Sequence, residues 1–361
     1  MRKISVGVLG ATGMVGQNYI NLLEGHPWFE VSYVAASPRS AGKTYADAVK
    51  GRWQMSRDVS PAVAGLVVRD ANEVSAAVGK CDFVFSALDM GKDEIRALED
   101  AYAAAGIPVV SNASAHRSTP NVPMLITEVN PHHIDVIPAQ RAAHGWKKGF
   151  VVVKPNCSIQ SYMIPLYALK KAGYVPSRMI LATMQAVSGA GYPGVPSLDV
   201  IDNIVPNLKG EEEKSEFEPR KIFGKVEGGV IVNDESLKIS AHCNRVPVID
   251  GHTACVSLEF AGKKPSLEEI ISIWDSFRGE PQELGLPSAP ERPIVYRREE
   301  SRPQPRKDRD AGHGMAVSVG CLRPCSVFDV RFVGLSHNTN RGAAGGGILN
   351  AELLKARGYI D

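Results

Sequence analysis

Apolar and polar positions in the first 155 residues alternate between two spacings along the chain. Ile4–Leu9 is a short apolar run of strand length, Met14–Leu23 repeats its apolar positions with helical period, and 30–36 returns to a strand-like run. Residues 82–87 and 107–110 are strand-like and bracket a helix over 93–105. Gly106 follows that helix at the position where left-handed backbone is favoured. A further strand over 151–154 runs into Pro155, Asn156 and Cys157, and helical spacing resumes over 158–172, interrupted by Pro165. This alternation predicts β-α-β units and an α/β fold with a doubly wound parallel sheet.

Beyond residue 176 the pattern changes. Longer alternating segments at 237–246, 253–260, 315–322 and 327–335 predict an antiparallel or mixed sheet. Ser266 and Glu269 have capping-box spacing and open a helix to about residue 277. The stretch 280–313, rich in proline and arginine around a short strand at Ile294–Arg297, reads as an exposed loop or arm. A terminal helix over 337–358 carries Gly345, Gly346 and Gly347, which weaken a helix and so point to close backbone approach. The change of pattern divides the chain into domains at 1–155 and 156–336, with 337–361 packing back on the first.

The length of 361 residues suits two domains at roughly 150 residues each. Hydrophobic residues at 44% and charged residues at 22% describe a globular chain. A net charge of +2 gives no excess of cations for a row of nucleic-acid phosphates, so an anionic partner must be met locally. Six scattered cysteines fit neither a disulfide scaffold nor a zinc site, and reduced thiols in a cytoplasmic enzyme without a metal are expected. Gly7, Gly10, Gly13 and Asn18 interrupt the apolar start, so no secretory leader is predicted, and no apolar run is long enough to span a membrane.

Candidate chemistry follows the first strand. Gly10, Gly13 and Gly16 form a GxxGxxG turn that opens the first helix, where backbone N–H groups can approach a pyrophosphate. The second strand ends at Ser37, Arg39 and Ser40 with no carboxylate for a ribose hydroxyl; a cation flanked by hydroxyls suits a 2′-phosphate, which favours NADP. Cys157 lies at a strand-to-helix junction, where partial positive charge favours thiolate. The other five cysteines lie in or beside apolar strands and read as packing. His252 follows a turn and can exchange protons with a thiol; Arg245 would share its cleft if the two flanking strands paired as a hairpin. On pattern alone, residues 211–214 read as a solvated helix face and Arg117 as a loop charge.

Together with Lys154-Pro155-Asn156-Cys157, Gln185 to Gly189 and Asn338 to Gly345, these motifs resemble aspartate-semialdehyde dehydrogenases, in the pattern of the fungal and archaeal branch. The resemblance covers nearly the whole chain. It implies a Rossmann-type domain, an α+β catalytic and dimerisation domain with a mixed sheet, and a homo-oligomer, either dimer or tetramer. It also implies NADPH-dependent reduction of L-aspartyl 4-phosphate in the aspartate pathway to threonine, methionine and lysine. By resemblance Cys157 is the nucleophile, His252 the acid/base and Gln185 the residue orienting the intermediate. Arg245 would clamp the substrate carboxylate, Glu211 its amino group, and Lys214 and Arg117 its phosphate. Only the three-residue spacing to Lys214 selects Glu211 over Glu212 and Glu213. Gly10, Thr12, Gly13, Met14, Val15, Ser37, Arg39, Ser40, Ser86, Ser188, Gly189 and Asn338 match positions around NADP.

Two departures stand out. Residues 131–150 read as an insertion, either a surface loop or an oligomer contact, and Cys321 replaces an expected basic residue. Malonyl-coenzyme A reductase, or another acyl reductase of the same architecture, is the alternative activity. The Glu211 and Lys214 pair, suited to ammonium and phosphate, argues for the aspartyl substrate.

Overall fold

Short runs of Val, Phe and Ile that are buried on both faces can pair only inside a sheet covered on both sides. The computed structural model, which describes residues 2–361, forms such a sheet from β1 (Ile4–Leu9), β2 (Phe29–Ala36), β3 (Arg69–Asp70), β4 (Phe83–Ser86), β5 (Val109–Ser111) and β6 (Val151–Val153). Their order is β3-β2-β1-β4-β5-β6, all parallel. Among helices of two turns or more, α1 (Met14–Leu23), α2 (Lys92–Ala104) and α3 (Ile137–His144) lie in this part of the chain. Alternate strand residues enter different cores. Val8, Phe85, Val110 and Val152 join Tyr19 of α1 and Ile137 of α3, while Leu9, Val84, Val109 and Val151 join Ile95 and Tyr102 of α2.

The second sheet has the order β10-β7-β11-β14-β13-β12. It comprises β7 (Val175–Gln185), β10 (Lys238–Arg245), β11 (His252–Ala261), β12 (Ile294–Arg297), β13 (Val317–Pro324) and β14 (Val330–Ser336); β8 (Lys225–Glu227) and β9 (Val230–Val232) pair separately. Two of its pairings, β10 with β7 and β12 with β13, are parallel and the rest antiparallel, so the sheet is mixed. One face is covered by α4 (Gln160–Lys171) and α6 (Leu267–Ser276). The capping box at Ser266 and Glu269 is present, with contacts of 3.1 and 2.8 Å. The other face carries Arg178, Ile180, Cys255 and Arg331, all exposed.

Several expectations change. Arg245 and His252 do not lie on a hairpin, because the central strand β7, which alternation alone does not single out, is inserted between β10 and β11. Residues 131–150 are not a surface loop: a tight turn at Pro131–Val136 leads into α3, and Ile134, Ile137 and Phe150 are buried in the core. Their apolar positions have helical spacing that the surrounding polar residues mask. Nor is 280–313 an exposed arm. Its buried Asp308 accepts from Arg302 Nε at 2.7 Å and pairs with Arg297 at 2.9 Å, and Leu286 and Ile294 are buried. Cys81 and Cys243 are packed as expected, but Cys255 is exposed and Cys321 and Cys325 are half-buried. Cys321, at φ 50° beside the bulge in β13, lies 3.1 Å from the carbonyls of Glu300 and Arg302.

The terminal helix α7 (Gly345–Ala356) starts later than expected, after a wide turn at Asn340–Ala344. Its glycines do mark close approach: a side chain at Gly347 would collide with the Tyr19 hydroxyl of α1. Each glycine costs a helix about 1 kcal/mol relative to alanine. Burial of Ile348, Leu349, Leu353 and Leu354, at about 1.5–3 kcal/mol per side chain, outweighs that cost. The preceding turn is tied down by Arg341, whose guanidinium meets both oxygens of Glu128 and donates to Gln160 at 3.1 Å. Burial pushes the Glu128 carboxyl up, but Arg341 overrides it and holds it below the usual range.

Candidate active site

Cys157 stands in the turn between β6 and α4. Asn156 shapes that turn by accepting from the Ser158 amide at 2.9 Å and the Ser158 hydroxyl at 2.7 Å. On the opposite side, a side chain at Gly342 would come within 2.8 Å of Cys157 Cβ, so the turn before α7 closes over the cysteine loop. Cys157 Sγ lies 3.2 Å from His252 Nε2, joining residues 95 positions apart.

His252 is fully buried rather than a solvated turn residue. Its Nδ1 accepts the backbone N–H of Ala186 at 3.0 Å. An accepting Nδ1 carries no proton, so the neutral ring holds its proton on Nε2, directed at the sulfur. Burial, with Arg245, His337 and Lys154 acting in the same direction, pushes this imidazole down to about 3. His252 is therefore a neutral hydrogen-bond donor to Sγ, and the expected role of accepting the thiol proton at Nε2 does not fit this tautomer.

The thiol also differs from expectation. Crowding by protein atoms pushes its pKa up and Glu211 adds to the rise, while Lys154, Arg117 and Arg245 oppose it.

The charged groups around the thiol come from four elements. Helix α5 (Glu211–Ile222) places Glu211 in the site. Its carboxylate accepts from Lys214 Nζ at 2.7 Å, from Asn156 Nδ2 at 3.0 and 3.1 Å and from Gln185 Nε2 at 3.2 Å. Glu212 instead accepts the Cys243 amide at 3.0 Å, and Glu213 is exposed, so Glu211 alone of the three faces the cysteine loop. Gln185 ends β7, and Arg245 ends β10 with Nη1 donating to Ala186 O at 2.9 Å. Arg117, from the loop after β5, donates to Glu218 at 2.9 Å and to Asn112 O at 3.0 Å. The Nε atoms of both Arg117 and Arg245 are buried without a partner. Two unspent buried guanidinium donors beside a thiol suit an anionic ligand.

Sequence reasoning missed Asn156, Glu218 and the Ala186 amide. Glu218 was hidden in a charge-rich helix; its only signal is the 211, 214, 218, 221 spacing, which places four charged residues on one helical face.

The turn after β1 fits a dinucleotide. Gly10 has φ +75°, and a Cβ there would collide with the Ala87 carbonyl in the loop after β4, so the two loops meet where the strand order reverses. Gly13 caps α1 with exposed backbone, while Thr12, Met14 and Val15 are half-buried beside it and the first turn holds no acidic residue. Beyond β2, Ser37 and Arg39 are exposed and Ser40 is buried, its amide donating to Ser37 O at 2.9 Å. Ser86 is fully buried at the end of β4, side chain and main chain alike, with its carbonyl accepting the Asn112 amide at 2.9 Å. Asn338, in the segment before α7, donates to Ser188 Oγ at 2.8 Å and accepts the Gly251 amide at 2.8 Å. Gly189 lies against Arg245 and His252, where a Cβ would come within 3.0 and 3.1 Å.

Fold and site together define the class of a dinucleotide-dependent oxidoreductase. Residues 5–137 match the semialdehyde dehydrogenase NAD binding domain, and residues 166–341 match the semialdehyde dehydrogenase dimerisation domain. The chain is 46% identical to the aspartate-semialdehyde dehydrogenase of Aspergillus fumigatus, covering 99% of each protein. It is 48% identical to that of Methanothermobacter thermautotrophicus, covering 97% of this chain and 99% of the relative. The Candida albicans aspartate semialdehyde dehydrogenase crystallised with NADP superposes with a TM-score of 0.89 at 42% identity, covering 99% of this chain and all of that one. The chain belongs to the aspartate-semialdehyde dehydrogenase family.

Proposed function

We propose that this chain catalyses the NADPH-dependent reductive dephosphorylation of L-aspartyl 4-phosphate to L-aspartate 4-semialdehyde, releasing phosphate. The observation that carries this reading is the 3.2 Å contact between Cys157 and His252 inside a ring of Glu211, Lys214, Arg245 and Arg117. In this reading Arg245 holds the substrate α-carboxylate, Glu211 its ammonium, and Lys214 and Arg117 its phosphate. Cys157 gives up its proton to solvent and attacks the acyl carbon as thiolate, the carbon–oxygen bond to phosphate breaks with phosphate leaving, and a thioester forms on the protein. The His252 Nε2–H stabilises negative charge on sulfur and on the acyl oxygen, and Gln185 orients the acyl group. NADPH bound at the β1 turn supplies the hydride that reduces the thioester. The carbon–sulfur bond then breaks, and the departing thiolate is again stabilised by His252.

Ser37, Arg39 and Ser40, with no carboxylate among them, support NADP over NAD. In the reverse direction, aspartate semialdehyde and phosphate should yield NADPH absorbance, with a higher kcat/KM for NADP than for NAD. Turnover of malonyl-coenzyme A without this signal would sink the reading. The division into a cofactor domain (1–155, with 337–361) and a catalytic domain (156–336) belongs to the same proposal, supported by α7 packing on α1 and β5.

The family match includes a dimerisation domain, and the uncovered face of the second sheet, with Ile180 and Cys255 outward, supports pairing with a second copy. A dimer, or a tetramer built from two dimers, is expected when mass is measured in solution; a monomer at micromolar concentration would exclude it. No helix among the described residues is long and apolar enough to cross a membrane, and six free cysteines support a cytoplasmic setting.

A further inference from the structure

Helix α5 carries more of the site than the two residues that the resemblance supplies. Glu211, Lys214, Glu218 and Lys221 share one face of it, and Glu218 and Lys221 are each only 2% exposed. One Glu218 oxygen accepts from Arg117 Nη1 at 2.9 Å, and the other accepts the backbone N–H of Asn156, next to the nucleophile, at 2.6 Å. Lys221 Nζ donates to the carbonyls of Arg117 at 2.9 Å and Thr119 at 2.6 Å. The Arg117 guanidinium is thus fixed by Glu218 through one Nη and by Asn112 O through the other, while its buried Nε has no partner.

We propose that Glu218 is a positioning residue that sets the phosphate-binding arginine and the cysteine loop in one register. It touches neither substrate nor sulfur. A single carboxylate bridges the two, so displacement of one is felt by the other. Removing it frees Arg117 to rotate and releases the Asn156 amide, and with it Asn156 Nδ2, which holds Glu211. A fold-stabilising ion pair alone would affect every ligand equally, whereas a positioning role acts on phosphate and on thiol reactivity and spares the dinucleotide.

The inference rests on the proposed activity, so the unmodified protein's turnover of aspartate semialdehyde, phosphate and NADP is measured first; its absence refutes the activity rather than the role of Glu218. Given that turnover, Glu218→Gln, which keeps the shape and loses the charge, is expected to raise KM for inorganic phosphate roughly 10- to 100-fold. KM for NADP should stay within about twofold, a change that a pairing confined to the substrate side permits. Inorganic phosphate is expected to slow Cys157 alkylation in the parent and to lose that effect in Glu218→Gln. In an Arg117→Met background, Glu218→Gln should have little further effect on phosphate KM. Glu218→Asp, which keeps the charge but reaches only one of the two partners, should fall between parent and Gln. An unchanged phosphate KM in either variant overturns the proposal. So does parallel loss of NADP and phosphate binding in both, which would leave a pair that only holds the fold together.

Discussion

Replacing Cys157 with serine should lower kcat/KM by at least about 10⁴-fold while leaving fold and NADP affinity intact. The size of the effect follows from the histidine tautomer as much as from the sulfur. The thiol, although pushed up by burial and Glu211, has Lys154, Arg117 and Arg245 near it, so it can ionise and be held by the His252 Nε2–H. A serine hydroxyl titrates far higher and would need a base within reach. His252, with its Nδ1 lone pair spent on the Ala186 amide and its proton on Nε2, offers none. Steady-state NADPH formation together with an NADP titration checks both halves. A serine variant within about tenfold of the parent would remove Cys157 from the chemistry.

The second large effect is at His252. His252→Ala should lose about 10²–10³-fold in kcat, the usual cost of deleting one preorganised donor at a developing negative charge. His252→Gln should lose less, because a side-chain amide can still donate toward sulfur but cannot take up a proton. The pH dependence separates donor from base. With the imidazole pushed down to about 3 by burial and neighbouring cations, His252 stays neutral across the assay range, so its titration adds no acid limb to kcat/KM between pH 5 and 8. An acid limb in the parent that vanishes in His252→Gln would show that His252 does accept a proton.

The first sheet was largely legible because its strands are short, apolar and separated by helices whose ends are marked by Gly13 and Gly106. β7 was not. Met179, Leu181 and Thr183 face the core, but Ile180, Ala182 and Met184 lie on the other side. With apolar residues on both faces, the two-residue period disappears. That omission hid the true neighbours of β10 and β11, and with them how Arg245 and His252 meet. In 131–150 the apolar residues that enter the core are diluted by histidines, of which His133 is itself buried and bonded to Asn130 and the Gly224 carbonyl. The chemistry-bearing residue types could be named from sequence, but not what their atoms are bonded to. The Ala186 amide that fixes the histidine leaves no local pattern, and the helical spacing that puts Glu218 on the face of Glu211 says nothing of its bond to Arg117, 101 residues away.

One contact bears on how the site chooses its occupants. Lys214 and Glu211 bond to each other, and Asn156 and Gln185 donate to the same carboxylate. In the proposed assignment, an occupant bringing both an ammonium and a phosphate replaces this internal pair charge for charge. Phosphate alone would draw Lys214 away and strand Glu211, and an amine alone would strand Lys214. On that assignment the site would act as a two-input gate, aspartate semialdehyde and phosphate each lowering the cost of admitting the other by the same factor in either order. An anion without an ammonium, inorganic phosphate included, would then bind more weakly than in company with the amino group, because it parts a pair whose spacing in the sequence reads only as a solvated helix face.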